Sequence, residues 1–501
     1  MRIGRTELLI GIFALAFTLG THHSVFTDLA SANDGIAQTD MGKGSFQANG
    51  EVLTRYAYWR WFEPFDSSAE NSYDYVFTRT RLDLSLNLSP VRFYVQAQDV
   101  HMWGLPDNAI AEPPQGPLGI GAIYYLHGGS ENYHSTIIRQ AYVDIQKLFL
   151  EDLSVRIGRF DYVDGLEVMY ENPKVNWLKK IRLAERLIGP FGWSSFCRSF
   201  DGIRIAYDQP GFNLSSTLTH PTQGGFENNA HKTISDIDLF TLTGTMTYDQ
   251  WLPNIEGRFF HFYYEDDRRI TAFVDNTGTS VLDQGAIEIH TTGMHWVWTA
   301  ETGPGVFDAL LWGAYQTGDW GNQDHDAWAG DIEVGYQFTH VPWRPWIRVG
   351  YYASSGDPDG TDSEHETFYQ ILPTARKYAL FPFYNMMNNE DFFIQAILKP
   401  KDNMVIRIDY HHLRLNERAD RWYMGAGPTV KEGGIFGYIA RPSFGDDDLA
   451  SVMDMMVTYD FSKDLSASLY WGHAFGKNVI ENIYAGDEDG DYFSMEFKVG
   501  F

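Results

Sequence analysis

The chain has 501 residues, 44% of them hydrophobic and 16% aromatic, with a formal net charge of -28. Such acidity excludes a general affinity for nucleic acid or anionic membrane surfaces, and a single cysteine, Cys197, excludes a disulfide framework or thiolate metal cluster within one chain. Beyond the N-terminus no apolar run approaches the roughly 18 residues of a membrane helix, so any crossing of a bilayer falls to strands.

Residues 1–32 read as a secretory signal peptide: Arg2 and Arg5 precede an apolar stretch from Leu8 to Leu19, and Ala30-Ser31-Ala32 is a small-x-small cleavage site. A polar segment, 33–50, follows. From 51 to 501 the pattern is that of strands, at 51–62, 73–88, 91–103, 136–147, 153–162, 199–208, 212–220, 235–248 and 255–266 in the first half. The second half continues at 286–301, 306–317, 327–339, 345–354, 391–399, 403–414, 450–459, 465–474 and 492–501, eighteen in all. Each is near or above the ~9 to 11 residues of a tilted membrane strand.

The stretch "FTRTRLDLSLNLS" (77–89) shows what the two faces do. Leu82, Leu84, Leu86 and Leu88 share one parity, and Arg79, Arg81, Asp83, Ser85 and Asn87 the other, so a strand here is apolar on one side and polar on the other. In "VRFYVQAQDV" the same alternation sends Val91, Phe93 and Val95 one way and Arg92, Tyr94 and Gln96 the other. Further on, Leu153, Val155 and Ile157 oppose Arg156, and Ile203 and Ile205 oppose Arg204. An arginine facing lipid at mid-bilayer costs roughly 2 to 4 kcal/mol, so the polar parity is the inward one.

Short connections ("SP" at 89–90, "DQPG" at 208–211, "TGPG" at 302–305, "KPKD" at 399–402, "FSKD" at 461–464) alternate with long ones at 104–135, 163–198, 355–390 and 415–449. That alternation predicts an all-β fold, a transmembrane antiparallel β-barrel of 18 strands with short periplasmic turns and long extracellular loops. A fixed-period repeat, which a propeller or solenoid needs, is not seen. The connection 163–198 carries "NPKVNWLKKIRLAERLIGPFGW" and concentrates Lys179, Lys180, Arg182 and Arg186. Two readings stay open for it: a basic extracellular helix on lipopolysaccharide phosphates, or a constriction element inserted in the lumen. Other long loops are acidic, as in "SSGDPDGTDSEHE", but lack complete EF-hand spacing, so solvated charge is the expectation rather than metal. The last stretch, "YFSMEFKVGF", alternates to a terminal Phe501 and looks like the closing strand of bacterial outer-membrane barrels.

Six motifs in order, "RQAYVDI" (139–145), "VRIGR" (155–159), "RLIGPFGW" with "RSFDGIRI" (186–205), "YYASSGDPDG" with "ETFYQILPT" (351–374), "DYHHLRL" with "DRWYMGAG" (409–426) and "HAFGKNVI" (473–480), make the chain similar to the alginate export family of outer-membrane barrels. The resemblance implies a monomeric pore of eighteen strands whose arginine-lined constriction passes an anionic polysaccharide. At the matching positions it implies Arg139 and Arg159 as pore residues, beside Arg79, Arg81, Asp83, Arg92, Gln96, Asp144, Arg156, Arg198 and Arg204 from parity. Strict alternation from Leu153 puts Arg159 outward, unless a bulge at Gly158 reverses the phase. The chain departs from the family at Phe160, where glutamine is usual.

The expectation is a passive outer-membrane channel of a Gram-negative bacterium, for anionic solutes or alginate-like polysaccharide. Its partners would be that cargo, outer-membrane lipid and lipopolysaccharide, and the barrel-assembly machinery, with no nucleic acid and no cofactor. The rival is a general or solute-specific porin, or a scaffold barrel for a partner protein, in which the arginines only brace the wall. No GxSxG, HExxH or P-loop motif argues for an enzyme, and the adjacent His411 and His412 point to opposite faces of a strand.

Overall fold

The structure is a computed structural model that describes residues 37–40, 44–268, 275–276, 285–374, 380–425, 427, 438–484 and 487–501. The expected signal peptide lies outside the described residues. Within the polar segment, Ala37–Asp40 forms a short strand folded back on residues 45–48.

Eighteen strands close a barrel. They are β1 (Ser45–Arg60), β2 (Ser72–Leu88), β3 (Val91–Trp103), β4 (Asn132–Gln146), β5 (Leu153–Phe160), β6 (Phe200–Gln209), β7 (Phe212–Pro221), β8 (Ile237–Met246) and β9 (Ile255–Asp266). The circuit goes on through β10 (Ile287–Thr302), β11 (Gly305–Trp320), β12 (Gln323–Phe338), β13 (Trp346–Ser354), β14 (Glu390–Lys401), β15 (Met404–Arg414), β16 (Asp448–Asp460), β17 (Leu465–Gly476) and β18 (Asp489–Gly500). Each strand pairs antiparallel with the next, and β1 meets β18 in a register running from Glu51 opposite Gly500 to Arg60 opposite Asp491. Closure leaves no strand edge to face hydrocarbon, where an unpaired backbone group costs several kcal/mol. The C-terminus seals the seam: Gly50 N donates to Phe501 O at 2.7 Å and Phe501 N to Gly50 O at 3.0 Å.

The faces fall as alternation requires. Leu82, Leu84, Phe93, Val95, Ile157, Ile203 and Ile205 are exposed on the outside, while Ser85, Gln96 and Gln98 are buried within. The short connections lie at the end with both termini, and the outer connections are long with one exception, the two residues 321–322 between β11 and β12.

The register slips once in the wall that holds the arginines. Gln96 of β3 faces Gln140 of β4, yet Ala97 faces Ile138, so Arg139 is the extra residue of a bulge. A bulge lets two successive side chains share one face, and both Arg139 and Gln140 bond the Oε1 of Gln96, at 2.6 and 3.3 Å.

Strand length is uneven around the circuit. β5 has 8 residues and β6 has 10, against 16 each for β10, β11 and β12. The outer connections fold into the mouth of the barrel. Helix α1 (Ile120–Gly128), Phe191, Phe196, Phe383, Trp422 and Val479 form one apolar cluster with the inward Trp59, Tyr75, Phe77 and Met102. The inner face is therefore not polar throughout, contrary to the simple parity rule: Phe260, Phe262 and Trp312 point inward and are buried under a loop.

Candidate functional site

The connection 161–199 runs inside the barrel. Asn172 starts its helix, accepting at Oδ1 from the amides of Lys174 and Val175 at 3.0 and 3.2 Å, and Pro173 occupies the first turn, where its missing N–H is no loss. Helix α2 (Pro173–Leu178) passes into a wider turn over Lys179–Leu183. Val175, Leu178 and Leu183 pack against the same inner cluster as Phe260, Phe262 and Trp312.

Its cations meet carboxylates of the wall. Lys174 Nζ lies 3.1 Å from Asp308, and Lys179 Nζ 2.6 Å from Glu256. Arg182 Nε donates to both oxygens of Glu333 at 2.9 and 3.1 Å, while Arg186 pairs with Asp331 and, at 3.3 Å, with Glu333. Arg348 of the wall completes the network by pairing with Asp308 and Glu333. Glu256, Asp308, Glu333, Lys179, Arg186 and Arg348 are all fully buried. The segment lies inserted in the barrel, its cations buried against the wall. Its charges, however, are matched: Lys179, Arg182 and Arg186 spend their positive charge on the wall, and Lys180 is half-buried.

The second half of the connection lies on the wall of β2 to β4. Arg79 Nη1 donates to Gly192 O at 3.1 Å, to Ser194 O at 3.0 Å and to Cys197 Sγ at 3.3 Å. Arg81 reaches the same sulfur at 3.0 Å and Gln98 at 2.9 Å. Arg139 holds Asp161 through both carboxylate oxygens, at 2.6 and 2.7 Å. Arg198, itself buried, donates to Pro373 O at 3.1 Å. Arg79, Arg81 and Arg139 point into the barrel from the wall, and Arg79 and Arg139 are covered by the segment that they hold, whereas Arg198 is part of that segment and not of the wall. Asp83 is likewise engaged, accepting from Tyr94 at 2.5 Å and Gln96 at 2.6 Å. The three guanidinium groups of Arg79, Arg81 and Arg139 draw the Cys197 thiol below its ordinary value against the opposing effect of burial, the larger single influence.

Arg159 is a correction. The ladder from β5 to its neighbours is one-to-one through Gly158, with Arg159 opposite Ala141 and Asp201, so no bulge reverses the phase. Arg159 stays on the outward parity, paired with Asp201 at 2.6 and 2.7 Å and bonded to His231 O at 2.7 Å. The bulge that does bring a motif arginine inward is at Arg139, one strand earlier.

The remaining arginines converge on open space. Arg92, Arg156 and Arg204 line a cavity of about 190 Å³ with Asp144, Gln146, Ser154 and Val155, near the end of the barrel that carries the short turns. Arg156 grips Asp144 at 2.6 and 3.0 Å and lies 4.1 Å from the Tyr142 ring centre. Arg92 stands off the same carboxylate at 3.9 Å. Arg204, opposite Arg156 in register, pairs with no carboxylate among the described residues. Three guanidinium groups thus share one counter-charge.

Sequence reasoning missed the acidic partners Glu256, Asp308, Asp331 and Glu333. For two of them the signal was present in "AWAGDIEVGYQF", where Asp331 and Glu333 alternate with the outward Ile332 and Val334.

A family model described as alginate export matches residues 66–483. No curated protein matches the chain significantly. Among solved structures, the fold is similar to a BenF-like porin from Pseudomonas fluorescens Pf-5, with a TM-score of 0.59 and 10% identity over 91% of this chain and 98% of that one. It is also similar to the outer membrane protein OpdK from Pseudomonas aeruginosa, with a TM-score of 0.52 and 9% identity over 91% of this chain and 99% of that one. OccAB4 from Acinetobacter baumannii gives a TM-score of 0.53 at 9% identity, over 91% and 98%. At these identities the likeness is one of fold.

Proposed function

The chain belongs to the alginate export family, and from that premise we propose that this outer-membrane solute channel conducts anions, with the Arg92, Arg156 and Arg204 cluster as the group that selects them. The carrying observation is the imbalance of charge: three guanidinium groups and one carboxylate around a cavity of about 190 Å³. A carboxylate entering there exchanges water and counterions for planar donors that match its two oxygens. Arg204 is unspent and Arg92 is held loosely, so both can turn to a passing anion. Asp144 fixes Arg156 and limits the depth of the site, which conduction requires, since an ion or sugar acid has to leave as well as enter. The cargo of this reading is a small organic anion or the repeating carboxylates of an alginate-like chain, moving down its own gradient.

A porin without charge preference is the second reading, favoured by the burial of Arg79 and Arg139 in bracing contacts and by the acidity of the whole chain. Reversal potentials in planar bilayers under a salt gradient separate the two. Arg92→Glu with Arg204→Glu is expected to shift the reversal potential toward cation preference. An unchanged reversal potential would overturn the anion reading.

A further inference from the structure

We propose that Asp409, His411 and Asp454 form a binding site for a divalent cation of the zinc class on the inner wall of the barrel. The backbone brings them together. Asp409 on β15 stands directly opposite Asp454 on β16, and His411 lies two residues along on the same inward face. They are 1%, 0% and 0% exposed, and one ligand atom from each lies within 4.8 Å of those of the other two. Tetrahedral ligands at about 2.0 to 2.2 Å from zinc stand about 3.3 to 3.6 Å from one another, so the side chains have to draw together by up to about 1.5 Å to complete the set.

The second observation is the orientation of the imidazole. His411 Nδ1 is bonded to both oxygens of Asp391, at 2.9 and 3.0 Å, while its Nε2 has no hydrogen-bond partner although the residue is wholly buried. A carboxylate behind one ring nitrogen and a free second nitrogen is how metal-binding histidines are held, because the carboxylate fixes the tautomer and raises the basicity of the ligand atom. Asp409 Oδ1 and Asp454 Oδ1 also lack hydrogen-bond partners. Their other oxygens are engaged: that of Asp409 with Arg407, and that of Asp454 with the Leu380 amide at 3.2 Å. A buried polar atom left without a partner is destabilising, and three such atoms on neighbouring inward residues share one remedy.

Charge agrees. Among the described residues, Asp391, Asp409 and Asp454 are three carboxylates beside one guanidinium, Arg407, so with the carboxylates ionised and His411 neutral, as a bound metal requires, two negative charges are left for one divalent ion to offset. One nitrogen and two hard oxygens suit Zn²⁺ or Mn²⁺ rather than a soft monovalent ion. Another His and Asp group, Asp99, His101 and His134, differs on both counts: it is partly exposed, and its atoms bond one another, with His101 and His134 Nε2 at 2.8 and 3.1 Å from Asp99. That group has two imidazoles where the buried one has one.

The test uses the full barrel in detergent, treated with a chelator and titrated with Zn²⁺ by calorimetry. Tight binding of about one ion per chain is expected, weakened at least tenfold in Asp454→Asn and in His411→Ala but not in His134→Ala. Asp391→Asn, which removes only the group behind the ring, is expected to weaken it by about 10-fold to 100-fold. Zinc-edge X-ray absorption on the wild-type barrel avoids dependence on any variant's folding and should give a nitrogen and oxygen shell with one imidazole. No tight binding, binding indifferent to Asp454→Asn and His411→Ala, or a shell with two imidazoles or none would overturn the proposal.

Discussion

Arginine serves opposite ends in two regions of this barrel. On the wall of β11 to β13, Arg182, Arg186, Arg348 and Lys174 face the buried Asp308, Asp331 and Glu333, nearly matched at four cations to three carboxylates. At the cavity between β3 and β6, Arg92, Arg156 and Arg204 share Asp144 alone and touch open space. Residue type does not separate a brace from a filter; the local count of counter-charges and access to water do.

The largest test of the contrast removes a carboxylate from the matched side. Glu333→Gln leaves Arg182, Arg186 and Arg348 short of a partner in a dry interior, and breaking such a network costs about 3 to 5 kcal/mol. The folded fraction, read by heat-modified mobility on gels or by thermal unfolding in detergent, should fall accordingly. The reverse change adds charge where it is lacking. Ser154→Glu would bring the cavity closer to balance, and anion permeability in bilayers should drop several-fold while the unfolding midpoint moves little.

A third test concerns protons in the outer loops, away from both regions. Asp357 is pushed up from 3.8 to about 7, first by burial and then by the charges of Asp420 and Asp362. Its folded form keeps the proton more tightly than the unfolded form, so the stabilisation is complete below 3.8 and is lost as pH rises through about 7. Asp420, pushed up to about 6 by burial, acts in the same direction. Limited proteolysis of 355–389 should be faster at pH 8 than at pH 5, and Asp357→Asn should flatten the difference. The smallest effect belongs to Arg159, whose pair with Asp201 is partly solvated on the outside. Arg159→Ala should cost less than about 1 kcal/mol and leave selectivity alone; a change of selectivity would return Arg159 to the pore.

The barrel was legible because lipid acts on every second residue. Leu82, Ile157 and Ile203 had only one side to face, and the eighteen strands followed. Where the strands outgrow the bilayer the rule inverts: in "IEIH" Ile287 and Ile289 are buried inward while Glu288 and His290 lie outward. Strands of 16 residues exceed the ~9 to 11 that the membrane demands, so beyond the lipid their apolar face turns to the packed loops. The phase of Arg139 was hidden for another reason. A bulge is set by pairing between strands, which one strand's own alternation does not carry, and glycine at 158 drew suspicion to the wrong place.

One consequence of the buried Phe260, Phe262 and Trp312 concerns anyone wishing to widen this pore. Excising 163–190 would not yield a broader tube but a greasy stripe wetted on the inside as well as bathed by hydrocarbon on the outside, and such a cylinder would fill with detergent or acyl chains. The plug and the wall it hides were shaped as one piece, so a useful nanopore would have to repaint that stripe with hydrophilic side chains in the same step as the deletion.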